Sequence, residues 1–210
     1  MISETGRGHR RFAAFWDWAV RNESREERGL RKELVSRVSG RVLELGVGVG
    51  ANWKYLPGGV TYVGIEPDGY MLERARKHAE EAGTEYTLVA GRAEDLPFRA
   101  ASFDTVLVTL TLCSVASQER ALDEVLRVLR PEGTLLFLEH VRPEGRVKGR
   151  LADVIAPLWR RAAAGCHPNR RTVETIGRAG FEVNEVRETP IRGLPQVLGA
   201  ARRRGAQRPS

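Results

Sequence analysis

The chain has 210 residues, of which 41% are hydrophobic and 29% charged, a balance that fits one folded domain with its own core and excludes a disordered chain. No run of 18 apolar residues occurs, so no membrane-spanning helix is expected. The net charge of +7 is unevenly placed: residues 41–141 carry 10 Lys/Arg against 15 Asp/Glu, a net of −5, and residues 142–171 carry 8 against 2, a net of +6. An acidic core suits a cationic ligand, and a basic flank suits an anionic acceptor, a membrane surface or RNA. An arginine-rich solvated face would give the same count.

The opening MISETGRGHRR lacks the apolar core of a signal peptide, so export is not expected. Cys113 and Cys166 form no close-spaced pair. Neither a zinc site nor a disulfide framework is expected from them, and a reducing cytoplasm fits.

In chain order, His9 to Val20 places Phe12, Phe15, Trp16, Ala19 and Val20 at helical spacing, with Arg10, Arg11 and Asp17 elsewhere, which predicts an amphipathic helix. Its basic polar side and aromatic apolar side also suit contact with an anionic membrane. Ser24 to Ser39 reads as a second, charged helix. From Gly40 onward strand and helix alternate, implying right-handed βαβ units and a parallel sheet. Strands are predicted over Arg41–Leu45, Val60–Glu66, Glu85–Ala90, Phe103–Leu110 and Thr134–Val141. Helices are predicted over Tyr70–Ala82, stopped by Gly83, and Gln118–Leu129, ended by Pro131 and Gly133. Val147–Ala163 reads as an amphipathic helix kinked near Pro157. Arg170–Ala179 follows, stopped by Gly180, and Phe181–Glu188 and Gln196–Arg202 form a closing hairpin.

Within this frame VLELGVGVGAN, Val42 to Asn52, is a buried strand that stops in a glycine turn and leads into a helix. Glycine serves where φ is positive or where a ligand must touch backbone. Strand, glycine turn and helix start together make a nucleotide cradle at the strand's carboxyl end. Gly46, Gly48 and Ala51 also satisfy the dinucleotide fingerprint. Two acids add to it: Glu44, two residues before the first glycine, and Glu66, which ends the next apolar run. A carboxylate at Glu66 can accept both ribose hydroxyls of an adenosine ligand, which identifies a nucleoside without saying which.

VLELGVGVGAN, GIEPD, GRAEDLPF, SFDTVLVTLTLCSV and EVLRVLRPEGTLLFLEHV, in this order and spacing, resemble the class I S-adenosylmethionine-dependent methyltransferases, within the branch that includes the ubiquinone and menaquinone enzymes. GAN, LCSV, LEHV and Gly165-Cys166 are most similar to the methyltransferase-like proteins that methylate alkyl thiols. The resemblance implies an α/β, Rossmann-like seven-stranded sheet in the order 3-2-1-4-5-7-6, last strand antiparallel, with helices on both faces. It implies one domain, 1–210, with a helical cap (1–39), a cofactor-binding core (40–141), a helical lid and acceptor region (142–180), and a closing hairpin with a basic tail (181–210).

The resemblance also assigns roles. Gly46, Gly48 and Gly50 would wrap the methionine part of S-adenosylmethionine, with Glu44 and Asn52 beside it. Glu66 and Pro67 would hold the ribose. Arg92 and Ala93 would meet the adenine. Related enzymes carry Asp or Asn where this chain has Arg92, and arginine cannot accept a hydrogen bond from the adenine amino group. The Ala93 amide or Glu94 would then serve. Thr109 and Leu110 would line the cofactor and acceptor pocket. Asp104 lies at the wrong end of its strand for catalysis and reads as structural.

Methyl transfer from a sulfonium needs alignment more than acid–base help. A thiol is already a few per cent ionised at neutral pH, whereas a phenol or carbon acid needs a base. His140, at the end of a strand, is the base candidate, with backbone bonding as its bland alternative. His167 lies in the lid. Direct transfer needs no protein nucleophile, so Cys113 and Cys166 read as core packing. The expected activity is methyl transfer to a small, partly apolar acceptor, first a thiol. A phospholipid amine or quinone precursor is the alternative, and an RNA-binding protein or RNA methyltransferase the alternative from another class. No RNA-binding module flanks the core and aromatics are few, so nucleic acid is not the expected partner. A monomer or homodimer in the cytoplasm, with peripheral contact to anionic membrane, completes the expectation.

Overall fold

A computed structural model describes residues 9–82, 85–163, 165–191 and 193–205. Gly83 and the tail beyond Gly205 lie outside the described residues. The elements are α1 (Arg10–Arg21), α2 (Arg25–Val35), β1 (Arg41–Leu45), β2 (Thr61–Glu66), α3 (Gly69–Ala82), β3 (Thr87–Ala90), β4 (Phe103–Thr109), α4 (Gln118–Val128), β5 (Leu129–His140), α5 (Arg146–Ala162), α6 (Thr172–Arg178), β6 (Phe181–Glu188) and β7 (Gln196–Arg203). The seven strands form one sheet in the order β3-β2-β1-β4-β5-β7-β6. β1 to β5 run parallel and β7 is antiparallel to both neighbours.

Near-continuous apolar runs in β1, β2 and β4 follow from burial on both faces. One face packs Leu43, Leu45, Val106 and Val108 with Leu122, Val125 and Ile176. The other packs Val42 and Leu107 with Leu34, Val35, Leu72 and Ala75. A third cluster joins Ala13 and Val20 of α1 to Val49 of the glycine turn and Met71 of α3. This contact lays α1 over the carboxyl edge of the sheet. Ser24 starts α2 as a capping box, its hydroxyl accepting from Glu27 N while the Glu27 carboxylate accepts from Ser24 N. Asp104 accepts from Arg41 N and pairs with Arg130 at the amino edge, the structural role expected of it.

Most boundaries shift by a few residues, and two differences change how an element is built. β5 begins at Leu129 rather than Thr134, running through Pro131 and Gly133. β7 pairs with it only from Thr134 onward, and the register against β4 shifts between Phe103 and Thr105. Pro131 therefore sits where a bulged edge asks nothing of its missing N–H. The helix expected after the glycines is a single 3-10 turn, Trp53–Tyr55. The cradle thus relies on turn amides rather than on a helix dipole.

Candidate active site

β1 ends in a turn where Gly46, Gly48 and Gly50 have φ of +64°, +56° and +82°. The three glycines serve different ends. A Cβ on Gly46 would fall 2.4 Å from Thr111 Oγ1, and one on Gly50 would press the Trp53 ring at 3.0 Å. A Cβ on Gly48 would meet nothing nearer than Trp16, at 3.7 Å. Gly48 therefore keeps backbone open towards the space under α1.

Glu66, at the end of β2, faces that turn. One carboxylate oxygen accepts from Gly48 N and the other from Asp68 N, both at 3.0 Å. Burial lifts its pKa to about 7 against the pull of these amides. Each oxygen retains a free lone pair for a hydroxyl. Pro67, next in line, is exposed, and Asp68 accepts from Tyr70 N and Met71 N to start α3.

Glu44 lies deeper. Asn52 Nδ2 donates to its Oε1 at 2.7 Å and the Tyr62 hydroxyl donates to its Oε2. The same Asn52 nitrogen reaches Thr109 Oγ1 at 3.1 Å, and Arg31 of α2 donates to Asn52 Oδ1 at 2.8 Å. Arg31 also pairs with Glu23. Desolvation raises the Glu44 pKa to about 7 against the Tyr62 bond and the Arg31 charge. Glu44, Asn52 and Thr109 thus form one buried network behind the glycine turn. Arg31 and Tyr62 are members that spacing alone did not mark.

Beyond the end of β3, Ala93 is buried. Arg92 Nε lies 3.6 Å from Glu94 Oε2. Glu94 Oε1 accepts from Ala116 N at 2.7 Å. Against partial burial, the amides of Glu94, Ala116 and Ser117 and the Arg92 charge hold its pKa low.

β4 ends at Thr109, and Leu110 follows with φ +55°, a costly conformation for a non-glycine residue. The turn presents the amides of Thr111, Leu112 and Cys113 to the Glu139 carboxylate at 2.7, 2.8 and 3.0 Å. Glu139 is fully buried, and desolvation raises its pKa against these three bonds. On the loop's other side, Arg170 donates to the carbonyls of Leu112 and Val115 at 2.6 and 2.7 Å, and His167 N donates to Cys113 O at 2.7 Å. Burial and the neighbouring Arg170 lower the His167 pKa.

Beside this loop the two cysteines, both buried as expected, meet. Their sulfurs are 3.5 Å apart, and His140 Nδ1 lies 3.8 Å from Cys113 Sγ and 3.7 Å from Cys166 Sγ. His140 Nε2 faces the Gln196 amide at 3.3 Å. Both ring nitrogens of the base candidate are therefore engaged. The bond to Cys166 and burial raise the Cys113 pKa, while that bond and His140 lower the Cys166 pKa.

Residues 43–137 match the methyltransferase domain model. The human thiol S-methyltransferase TMT1B is 34% identical over 195 residues, 85% of this chain and 80% of that protein. The chain belongs to the class I S-adenosylmethionine-dependent methyltransferases. Its methyl donor is S-adenosylmethionine, which supplies an electrophilic methyl group on a sulfonium. A phosphatidylethanolamine N-methyltransferase from Cereibacter sphaeroides is 33% identical over 161 residues, 76% of this chain and 77% of that protein. The SAM-dependent methyltransferase TM1293 from Thermotoga maritima shares the fold, with a TM-score of 0.68 at 24% identity over 92% of this chain and 96% of that one. The residues in place suit the donor. Gly48 leaves the cradle free, Glu66 keeps acceptor capacity for hydroxyls, and the buried acids of β1 and β2 favour a cation.

Proposed function

We propose that the enzyme methylates a small, partly apolar thiol. The observation that carries this is the extent of the likeness to the thiol S-methyltransferase. It covers 195 residues, well past the 43–137 core, and so takes in segments that flank the acceptor side. In this reading Gly46, Gly48 and Gly50 hold the methionine part and Glu66 with Pro67 the ribose. Ala93 meets the adenine beside Arg92 and Glu94. The charge of Glu44, relayed by Asn52, favours the cationic donor, and Thr109 and Leu110 border the acceptor. α1, with Trp16 above Gly48, excludes water, and alignment in that closed space does most of the work. A thiol suits a site whose histidine is engaged, since a small thiolate fraction exists without a base.

The test is release of S-adenosylhomocysteine with a small alkyl thiol, against a no-acceptor control and Glu66→Ala. Thiol-dependent release that disappears in the variant is expected. Tight donor binding with no thiol-dependent release would discard the acceptor.

A lipid amine is the second reading, favoured by α5. Val147, Val154 and Leu158 are 82, 77 and 71% exposed and fall at helical spacing with Leu151 and Ile155. Lys148, Arg150 and Arg161 flank this stripe, an arrangement suited to an anionic membrane surface. Among the described residues no helix is long and apolar enough to cross a membrane, so contact would be peripheral. Co-sedimentation with phosphatidylserine-containing vesicles, abolished by Val154→Glu, is the expected result. Equal recovery of both proteins in the supernatant would remove the membrane.

A further inference from the structure

Three side chains at the carboxyl edge of the sheet have no part in the scheme above. Cys113, His140 and Cys166 come from the loop after β4, the end of β5 and the segment after α5. Their donor atoms form a near-equilateral triangle with sides of 3.5, 3.7 and 3.8 Å. A tetrahedral zinc ion, with sulfur at about 2.3 Å and nitrogen at about 2.0–2.1 Å, sets its donors about 3.6–3.8 Å apart. Each side of the triangle lies within about 0.3 Å of that spacing, a difference that small side-chain adjustments would close.

We propose that Cys113, His140 and Cys166 hold a zinc ion whose fourth position takes the sulfur of the acceptor thiol. The donor set is chemically selective. Two thiolates and an imidazole suit zinc over magnesium or calcium. Two thiolates and Zn²⁺ also sum to zero charge, which answers the cost of burying ionised sulfur. Three protein ligands leave a fourth position open, the arrangement of catalytic rather than structural zinc.

The surroundings hold the ligands in place. The Glu139 carboxylate fixes the Cys113 amide, and His167 N fixes its carbonyl. Gln196 faces the outer nitrogen of His140. With the Gln196 oxygen turned to accept that N–H, Nδ1 is left as a lone pair aimed at the metal. The site adjoins the cofactor cleft through one short loop, since Thr111, two residues before Cys113, contacts the Gly46 turn through its Oγ1, 3.0 Å from Leu45 O.

The chemistry balances simply. An acceptor thiol binding at the fourth position gives up its proton to solvent and becomes a zinc-bound thiolate, with no change of oxidation state. The zinc site stands on the triangle alone, whereas the role of its fourth position rests on the thiol reading above.

The test uses the full chain, purified with a non-thiol reductant. Zinc is measured by atomic emission, and Co²⁺ is substituted as a spectroscopic probe. About one zinc per chain is expected, with at least about a tenfold fall in affinity in Cys166→Ala and in His140→Ala. Circular dichroism and S-adenosylhomocysteine binding should be unchanged in both. The cobalt form should show thiolate charge-transfer absorption and tetrahedral bands that shift when 2-mercaptoethanol is added without methyl donor. Unbound zinc, with both cysteines titrating as free thiols or recovered as a disulfide, overturns the site. Bound zinc whose cobalt spectrum ignores the thiol overturns the fourth-position role. A spectral response to thiol without methyl transfer leaves the zinc site standing and removes only the acceptor assignment.

Discussion

Replacing Glu44 by Gln probes the electrostatics of the donor cleft. Burial lifts this carboxyl from an ordinary 4.5 to about 7, against the lowering influence of Tyr62, Arg31 and Asn52. The folded chain therefore binds the proton more tightly than the unfolded chain. The linked stability is present in full below about pH 4.5 and is lost as pH rises towards 7. That displacement corresponds to about 3 kcal/mol for Glu44. Glu66 acts in the same direction, being raised to about 7 by burial, so the variant removes part of the slope and not all of it. Gln keeps the shape. Its oxygen still accepts from Asn52, and its nitrogen can donate to a Tyr62 hydroxyl that now accepts. Urea unfolding without donor, at about pH 5 and about pH 8, should find Glu44→Gln more stable than wild type by about 2–3 kcal/mol at the higher pH only. The same variant should bind S-adenosylmethionine more weakly at the higher pH, having lost the anion that favours a cation. An unaltered pH dependence, or a variant less stable than wild type at the higher pH, would refute the claim that desolvation dominates at Glu44.

The glycine turn allows a paired test. Gly48→Ala should fold with a cost of about 1–2 kcal/mol from its positive φ yet lose donor affinity by at least about tenfold, because the new Cβ enters the cradle; calorimetry with S-adenosylhomocysteine checks this. Gly46→Ala should instead fail to accumulate as folded protein, since its Cβ meets Thr111 at 2.4 Å; thermal melts separate the two. Arg31→Ala should cost about 3–5 kcal/mol in urea unfolding, because it strands a buried Glu23 carboxylate. It should also weaken donor binding by releasing Asn52.

The residues proposed to hold the donor could be grouped from sequence because they lie along one continuous stretch. Glu44, the glycines and Asn52 span nine residues of strand and turn, and Glu66 ends the adjoining strand, so spacing alone puts them at one sheet edge. The hidden residues come from separate crossovers. Arg31 arrives from α2. Cys113, His140 and Cys166 are 27 and 26 residues apart, and only the β4–β5 pairing and the return of the segment after α5 bring them within a bond's reach of one metal ion. Glu139 shows how far a sequence reading can go. An acid set in LLFLEH, among apolar neighbours, must find buried donors, and that much follows from composition. Where they are does not. They exist because Leu110 takes a left-handed turn at the end of β4 and leaves three consecutive amides without ladder partners. The same turn that creates the demand for Glu139 also delivers Cys113 to His140. One strained residue therefore sets both the loop after β4 and the triangle of donors beside it.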